Sequence, residues 1–373
     1  MKAEPIAARS WGELRDLVRT APVDEVVELF ETGLHARIGT ASLMAAERLG
    51  PMRHPGAVDI AIRALDSADP RLWTSSAIRL LSLARAEQAV PALARFVRTP
   101  GAGGTGALEA LVRIGTGEAT AALLDLGRTA VADPALAGRP GAGALVWALS
   151  TTGTSEARDL VLELTRTMSA PWDERAMWAV ARIADERFEP FLLELCAGPY
   201  VRQGLSGLER TATARSVPAL RLRLAAAGDR AVRYSAARAL AHAGAAAASA
   251  LSPSAWWNRD AEVPVRRATA WVLGRTGAPE YATVPGLTRL LADDDPGVRA
   301  RAAESLGRVE GARAAPQLRE ALATDPSHRV RARAATALGR LAGRGTRGAL
   351  REAARRDPVA CVRDAAHAAL RRL

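Results

Sequence analysis

The chain has 373 residues, of which 49% are hydrophobic but only 4% are aromatic, so Ala, Leu and Val supply most of any core. This composition favours helix-on-helix packing over a β-sandwich and predicts an all-α protein. The two cysteines, Cys196 and Cys361, cannot form a disulfide framework or a metal-type spacing, and no run of 18 apolar residues occurs. We therefore expect a cytoplasmic chain without a cofactor, a bound metal or a membrane-inserted segment.

The predicted elements run in chain order from a single N-terminal helix, Trp11–Thr20, through about eleven helical hairpins. The N-terminal helix is expected to cap its end of the chain. Each hairpin has a first helix, a turn and a second helix, and apolar residues at helical spacing locate the second helices. These are expected near Ala36–Leu49, Arg71–Leu83, Gly106–Ile114, Ala142–Thr152, Asp173–Ala184, Tyr200–Thr211, Arg230–Ala243, Val263–Thr276, Gly297–Val309, Ser327–Leu341 and Val359–Arg372.

A recurring Val-Arg dipeptide and a recurring proline mark equivalent positions in these hairpins. Val-Arg opens the later second helices at a spacing of 31 to 33 residues, with arginines at Arg202, Arg233, Arg266, Arg299, Arg331 and Arg363. The first helices carry a proline at Pro91, Pro218, Pro285 and Pro316, and a proline inside a helix is expected to bend it. Such a period is typical of a solenoid, in which each repeat buries its apolar face against its neighbours.

The turns inside the hairpins are also regular, with Asp-Pro at Asp295, Asp325 and Asp357. Asp can cap the free N–H groups of the second helix, and Pro suits a first helical position. Because these aspartates recur beside the Val-Arg arginines, we predict a structural Asp–Arg ladder between repeats. The combined pattern resembles the short bacterial HEAT repeats of phycobilisome lyase-like proteins over nearly the whole chain, most strongly from Arg233 to Leu373. The resemblance implies a right-handed α-solenoid whose second helices line a concave binding face.

Charge is distributed unevenly along the predicted solenoid. Residues 1–187 contain 21 basic and 23 acidic residues, whereas residues 188–373 contain 30 basic and 17 acidic residues. We therefore describe one solenoid, 1–373, with an N-terminal capping helix in 1–22, divergent and near-neutral repeats in 23–187, and regular, strongly basic repeats in 188–373. A concentrated positive field attracts acidic proteins, nucleic acid or anionic lipid.

Two outward-facing positions of the second helices carry the candidate binding residues. In Ser327–Leu341 the polar stripe contains Arg329, Arg333, Thr336 and Arg340, opposite the apolar stripe. The Arg340 position is basic in most hairpins, and tryptophan recurs at the Thr336 position one turn earlier. An outward-facing tryptophan that recurs suggests contact with a partner. The candidate binding residues are Trp147, Trp178, Arg182, Arg238, His242, Trp271, Arg275, Arg308 and Arg340.

Structural explanations compete with this functional one. An arginine four residues after a glutamate, as in Glu304 and Arg308, forms an ordinary helix-surface ion pair, and an arginine near a helix C-terminus complements the helix dipole. A tryptophan can also fill a gap between repeats. Both explanations remain open on the sequence alone.

No catalytic residue is identified. The five histidines form no His-Glu dipeptide of the kind found in HEAT-repeat di-iron hydroxylases, and no i,i+4 pair that suggests zinc. The HEAT-like alkylpurine DNA glycosylases combine a basic face and Trp with a catalytic Asp, but here Trp178 is followed one turn later by Arg182, and Trp271 by Arg275. The bilin lyases share the repeat type without a common motif.

The sequence therefore predicts a non-catalytic HEAT-repeat scaffold that binds an acidic macromolecule on its concave face, with an acidic protein as the favoured partner. Two alternatives remain: a nucleic-acid-binding HEAT protein, including one of the alkylpurine glycosylase type, and a bilin lyase-like accessory protein. An enzymatic role is the less favoured possibility, and the sequence specifies no oligomeric state.

Overall fold

The computed structural model describes residues 10–36, 38–67, 74–99, 104–133, 142–167, 174–226, 229–251, 262–309, 312–341 and 345–373. These residues form 23 α-helices and three short 3-10 turns, and they contain no strand. The all-α prediction is confirmed. The chain divides into two compact units, Met1–Ile183 and Ala184–Leu373.

The described residues of the Met1–Ile183 unit form a single helix and five hairpins. Ser10 caps the single helix through a reciprocal capping box with Glu13, whose carboxylate accepts from the Ser10 backbone N–H at 2.7 Å. This helix packs against the second helix of the first hairpin, and each second helix packs against the next one. The helices are α1 (Trp11–Thr20), α2 (Val23–His35), α3 (Gly39–Met52), α4 (Pro55–Asp66), α5 (Thr74–Ala84), α6 (Val90–Arg98), α7 (Thr105–Ile114), α8 (Gly117–Ala132), α9 (Ala142–Thr152), α10 (Ser155–Thr167) and α11 (Glu174–Ala181).

The Ala184–Leu373 unit contains six hairpins. Its second helices, α13, α15, α17, α19, α21 and α23, also pack in series, so that each buries its apolar face against its neighbours. The helices are α12 (Glu189–Ala197), α13 (Val201–Thr211), α14 (Val217–Ala226), α15 (Arg230–His242), α16 (Ala245–Leu251), α17 (Val263–Leu273), α18 (Glu280–Leu291), α19 (Pro296–Leu306), α20 (Ala315–Thr324), α21 (His328–Leu341), α22 (Thr346–Arg356) and α23 (Ala360–Leu370).

The eleven second helices lie where the repeat register predicts them. Wherever both the expected and the observed bound fall among the described residues, they agree within three residues; the expected starts at Arg71 and Asp173 lie outside those residues. The largest shift is in the first hairpin, where the helix predicted at Ala36–Leu49 is Gly39–Met52. The agreement shows that one hairpin unit, stacked repeatedly, accounts for both units of the chain.

The predicted bend at the recurring proline is wrong for three of the four sites. Pro91 and Pro316 lie in the first turn of their helices, each after a short 3-10 turn, and Pro218 is the second residue of its helix. N–H groups in the first helical turn have no acceptor within the helix, so proline there sacrifices no hydrogen bond. Among these four, Pro285 alone lies inside a helix. The proline therefore marks where a first helix begins.

Glycine allows the second helices of the Ala184–Leu373 unit to approach each other closely. In three consecutive interfaces, a glycine near the end of one second helix faces a small residue of the next. A Cβ atom at Gly307 would lie only 2.6 Å from the Cα atom of Ala337, which leaves no space for a larger residue. The facing residues are Gly274 with Ser305, Gly307 with Ala337, and Gly339 with Ala369.

An Asp–Arg ladder joins the turns of consecutive repeats, as the sequence predicts. The Arg331 guanidinium donates from Nε and Nη2 to the two Asp357 carboxylate oxygens at 2.7 and 3.0 Å, and Nη1 donates to the Asp325 carbonyl of its own turn at 2.9 Å. Arg299 makes the same two-pronged contact with Asp325 at 2.8 and 3.0 Å. Each arginine thus connects its own turn to the turn of the next repeat.

The aspartates of this ladder also accept hydrogen bonds from backbone N–H groups of the residues just before the second helices. Asp357 accepts from the Val359 backbone N–H at 2.9 Å while it holds Arg331. The hydrogen bond from Arg331 is the largest of the influences that lower the pKa of the Asp357 carboxyl, and it outweighs the opposing effect of burial. One rung departs from the sequence prediction, because Arg266 pairs with Asp293 rather than with Asp295.

Candidate functional site

In the Met1–Ile183 unit, the predicted residues lie on the last two second helices. The Arg175 guanidinium lies 3.6 Å from the ring centroid of half-buried Trp147 and also pairs with Glu109. Trp178 is 38% exposed, and its indole N–H donates to a Glu174 carboxylate oxygen at 3.4 Å. Arg182 is exposed just beyond the end of the same helix. The two indoles therefore have an accessible surface and are not sealed between repeats.

In the Ala184–Leu373 unit, an uninterrupted series of side-chain contacts crosses the second helices α13, α15 and α17. Arg238 forms an ion pair with Glu209 at 3.2 Å, and its guanidinium lies 5.9 Å from the Tyr234 ring centroid. The Tyr234 and Trp271 rings are 6.1 Å apart, and the Arg275 guanidinium lies 4.1 Å above the Trp271 ring. The structure thus brings the predicted residues Arg238, Trp271 and Arg275 together around a tyrosine that the sequence reading did not select.

Arg275 sits in an unusual environment for a guanidinium. Burial is the main influence that lowers the pKa of Arg275, and the positive charge of Arg308 lowers it further. Its Nη1 atom is buried and has no hydrogen-bond partner among the described residues. Because arginine stays protonated at physiological pH, the charge is retained and lies over the Trp271 ring.

Three arginines surround Glu304 on the adjacent second helix α19. Its carboxylate accepts from Arg301 at 2.8 Å and from Arg308 at 3.3 Å, and it lies 3.8 Å from Arg333. Burial by itself would raise the pKa of Glu304, but the attraction of Arg301 and the other two arginines holds it below its usual value. Glu304 therefore stays ionised, and the cluster keeps an excess of positive charge.

Two grooves lie side by side on this surface. The aromatic groove, of about 460 Å³, is lined by Tyr234 and Trp271 together with Arg230, Arg233, Arg267 and Arg301. The arginine groove, of about 530 Å³, is lined by the same Arg267 and Arg301 together with Glu304, His328, Arg329 and Arg333. Because two arginines line both, the grooves form one continuous surface across the second helices α15 to α23.

The predicted residues His242 and Arg340 are exposed but line neither groove. They lie in the last turns of α15 and α21, where a positive charge complements the helix dipole. Arg308 also lies outside both linings. It contacts the arginine groove through its hydrogen bond to Glu304, which lines that groove. The structural explanation from the sequence therefore applies best to these three positions.

The residues that sequence reasoning missed lie one turn earlier on the same helices. Tyr234 and Arg267 both directly follow a Val-Arg arginine, and Arg301 lies 32 residues before Arg333, which the sequence reading had placed on the outward stripe. Extending that stripe through the other repeats would have found Arg301. A single sequence does not indicate that the repeat position of Tyr234 would contact the different repeat position of Trp271 on the next second helix.

The site offers binding groups and little reactive chemistry. Among the residues that the structure describes, no group of three or more His, Cys, Asp or Glu side chains could hold a metal, and no helix is long and apolar enough to cross a bilayer. Cys361 is exposed at the arginine groove, whereas Cys196 is buried, and burial raises the pKa of the Cys196 thiol to about 12. Guanidinium groups that flank aromatic rings can bind carboxylates or phosphates.

The fold defines the class of protein first: the described helices build α-solenoids of stacked hairpins. A family model of HEAT repeats matches residues 254–339 and 284–371, which include the arginine ladder and both grooves apart from α15. Over these residues the chain is similar to HEAT-repeat proteins. No curated protein sequence shows significant similarity to it.

Solved structures of similar fold include importin beta and two Kap proteins. Importin beta shares 14% identity at a TM-score of 0.58, over 97% of this chain and 59% of that one. The Kap95 chain of a Kap95:Nup1 complex shares 15% identity at 0.54, over 98% and 61%, and Kap121p shares 11% at 0.52, over 98% and 48%. This chain thus spans about half to three fifths of those proteins, and identities this low show the fold alone.

Proposed function

We propose that this HEAT-repeat protein is a non-catalytic scaffold that binds an acidic protein partner on the outward side of its second helices. The observation that carries the proposal is the aromatic groove, where Tyr234 and Trp271 lie among four arginines. Tyrosine, tryptophan and arginine are the residues that most often dominate protein interfaces, and arginine pairs with carboxylates in a two-pronged geometry. In the Met1–Ile183 unit, Trp147, Trp178 and Arg182 are a separate set of candidate contact residues.

The similar solved structures support a protein partner. The Kap95 structures were obtained with Nup1 and in a study of Kap95p binding to RanGDP, so solenoids of this fold do bind other proteins. The charge of the surface selects acidic partners here, because arginines outnumber carboxylates along both grooves.

A pair of variants tests the scaffold role. Tyr234→Ala/Trp271→Ala removes the aromatic anchors, and Leu222→Ala is the control, because Leu222 is a 66% exposed apolar side chain on the first helix α14. Quantitative affinity capture should show partners that are lost by about tenfold or more with the double variant and retained by the control. Identical partner sets for the wild type and the double variant would disprove the proposal.

Nucleic-acid binding is the second candidate, favoured by the arginines that lie near the Tyr234 and Trp271 rings. A salt titration against duplex and single-stranded DNA separates the two functions, because phosphate contacts release counterions and make affinity fall steeply with salt. We expect any association at low salt to be lost near physiological salt. Tight and sequence-tolerant binding at about 150 mM salt would favour the nucleic-acid function instead.

A glycosylase role is not supported by the groove residues. Glu304, the acidic residue among their linings, is held ionised by three arginines and is not free to act as a general base. Incubation with alkylated DNA should release no free base. A bilin lyase-like role requires that the chain bind a tetrapyrrole, and we expect added bilin to keep its free absorption spectrum.

A further inference from the structure

We infer that the two grooves together bind one extended acidic peptide, which crosses the second helices and is read by the spacing of its side chains. The inference rests on the proposed function and adds the ligand's conformation and pattern. It starts from continuity: the aromatic groove is formed by α15, α17 and α19, and the arginine groove continues over α19, α21 and α23. A ligand long enough to follow both must lie across the helices rather than along one of them.

The repeat sets the spacing of the binding groups. Arg301 and Arg333 occupy equivalent positions on the neighbouring helices α19 and α21, and both contact Glu304. Packed helix axes are about 8–10 Å apart, and an extended peptide advances about 3.3 Å per residue. One repeat therefore corresponds to roughly three peptide residues.

The chemistry of the grooves specifies the side chains of the peptide. Between Tyr234 and Trp271, the lining also contains Ala237, Pro264 and Ala268, so this end accepts an apolar or aromatic side chain. Farther along, Arg301, Arg333 and Arg308 share a single carboxylate, Glu304, and the excess positive charge can accept a second one. The expected pattern is an aromatic residue with acidic residues three and six positions away from it.

A peptide is favoured over a nucleic acid because several groove arginines already have carboxylate partners. Arg267 lies 3.3 Å from Asp295, and Arg233 lies 3.7 Å from Glu262. These carboxylates reduce the field that a phosphate chain would meet, while they leave room for a ligand with a few spaced charges. Among the described groove arginines, Arg230 on α15 and Arg329 on α21 have no such partner.

The test uses synthetic peptides and the full chain. One peptide has Phe with Asp at the third and sixth positions after it, in a Gly/Ser background; a second has the reverse order and tests the opposite peptide direction. A third has the same composition with the two Asp residues adjacent. We expect one of the spaced peptides to bind about tenfold more tightly than the adjacent isomer in fluorescence anisotropy.

Alkylation of Cys361 gives an independent readout of where the peptide lies. Cys361 is exposed at the arginine groove, and buried Cys196, whose thiol pKa is raised, serves as an unreactive internal reference. The bound peptide should slow alkylation of Cys361 by iodoacetamide. Unchanged Cys361 reactivity at a saturating peptide concentration would place the peptide elsewhere and overturn the inference.

Two charge reversals serve as a matched pair. Arg333→Glu alters the arginine groove, whereas Arg355→Glu makes the same change in net charge on the exposed side of the first helix α22. Arg333→Glu should lower the affinity for the spaced peptide by about tenfold, and Arg355→Glu should have little effect on it. Both variants must melt like the wild type; if Arg333→Glu does not, Arg333→Gln replaces it.

Several outcomes would overturn the inference. Equal affinity for the spaced and adjacent peptide isomers would indicate unspecific charge attraction, and so would equal weakening of peptide binding by the two charge reversals. Tighter binding of an oligothymidine of equal length would indicate a nucleic-acid ligand. If the peptides fail while Tyr234→Ala/Trp271→Ala still loses its protein partners, the extended-peptide inference falls and the scaffold function stands. If that double variant keeps every partner, both fall.

Discussion

The two units of the chain connect their repeats with different kinds of ion pair. In the Met1–Ile183 unit, the pairs between neighbouring repeats lie on helix surfaces: Arg128 lies 3.1 Å from Glu156, and both side chains are more than half exposed. In the Ala184–Leu373 unit, Arg331 and Asp357 are 12% and 6% exposed and make a two-pronged contact. The Ala184–Leu373 unit thus joins consecutive hairpins through buried pairs as well as through more exposed ones such as Arg267 with Asp295.

The difference bears on how firmly the repeats are held in register. Exposed pairs are screened and contribute little, so the Met1–Ile183 repeats depend on apolar packing and tolerate a varied sequence. A buried fork demands one geometry, since a displaced guanidinium would leave a carboxylate unpaired. Fixed register in the Ala184–Leu373 unit is what a surface that reads ligand spacing requires, and both grooves lie there.

The largest effect is expected from Arg331→Ala. This change leaves the Asp357 carboxylate buried without its guanidinium, and the free energy of unfolding should fall by about 3–5 kcal/mol. Arg128→Ala, the control in the other unit, should cost no more than about 1 kcal/mol. Urea unfolding followed by circular dichroism measures both changes. Equal losses would show that the buried and exposed pairs do not differ in the way described.

A pair of glycine substitutions should produce effects of opposite sign. Gly307→Ala places a methyl group 2.6 Å from the Ala337 backbone and should destabilise by about 1–3 kcal/mol. Gly348→Ala lies within α22, where a Cβ atom meets nothing within 4 Å, and should stabilise by up to about 1 kcal/mol. Thermal melting gives both signs. If Gly307→Ala is also stabilising, close helix approach does not limit this interface.

Acid should weaken the ladder of the Ala184–Leu373 unit. The Asp357 pKa is lowered in the folded state, so its ionised form contributes stability above the unfolded pKa of about 3.9, and that stability is lost as pH falls through the lower folded pKa. We expect Asp357→Asn to be less stable than the wild type at pH 6, with a smaller difference near pH 3. Exposed Asp364→Asn should show no such dependence on pH.

The smallest effect should come from salt acting on the exposed pairs. A double-mutant cycle for Arg128 and Glu156 should give a coupling of about 0.2–1 kcal/mol at low ionic strength, and this coupling should disappear near 1 M NaCl. The cycle for Arg331 and Asp357 should keep most of its coupling, because little solvent reaches the pair. A salt-sensitive coupling at Arg331 would contradict its burial.

The sequence predicted the fold well because repetition multiplies a weak local signal. One Val-Arg dipeptide means little, but six at a period of 31 to 33 residues locate the turns, the hairpins and the Asp–Arg ladder. The predicted helix bend was wrong because the sequence does not show whether a proline lies in the first turn of a helix or in its interior. The rung at Arg266 shifted from Asp295 to Asp293 because three consecutive aspartates offer alternative partners.

By itself, the sequence determined the helical repeat, its register and the excess of arginine in the later repeats. It also predicted that Trp271, Arg275 and Arg238 lie on one side of the second helices, since residues at equivalent positions of a repeat face the same side. Only the tertiary structure decided which different positions meet, and it placed Tyr234 beside Trp271 and Arg301 beside Arg333 through Glu304. The period of the repeat shows which residues occupy equivalent positions. Contacts between different positions of the repeat depend on how adjacent helices pack.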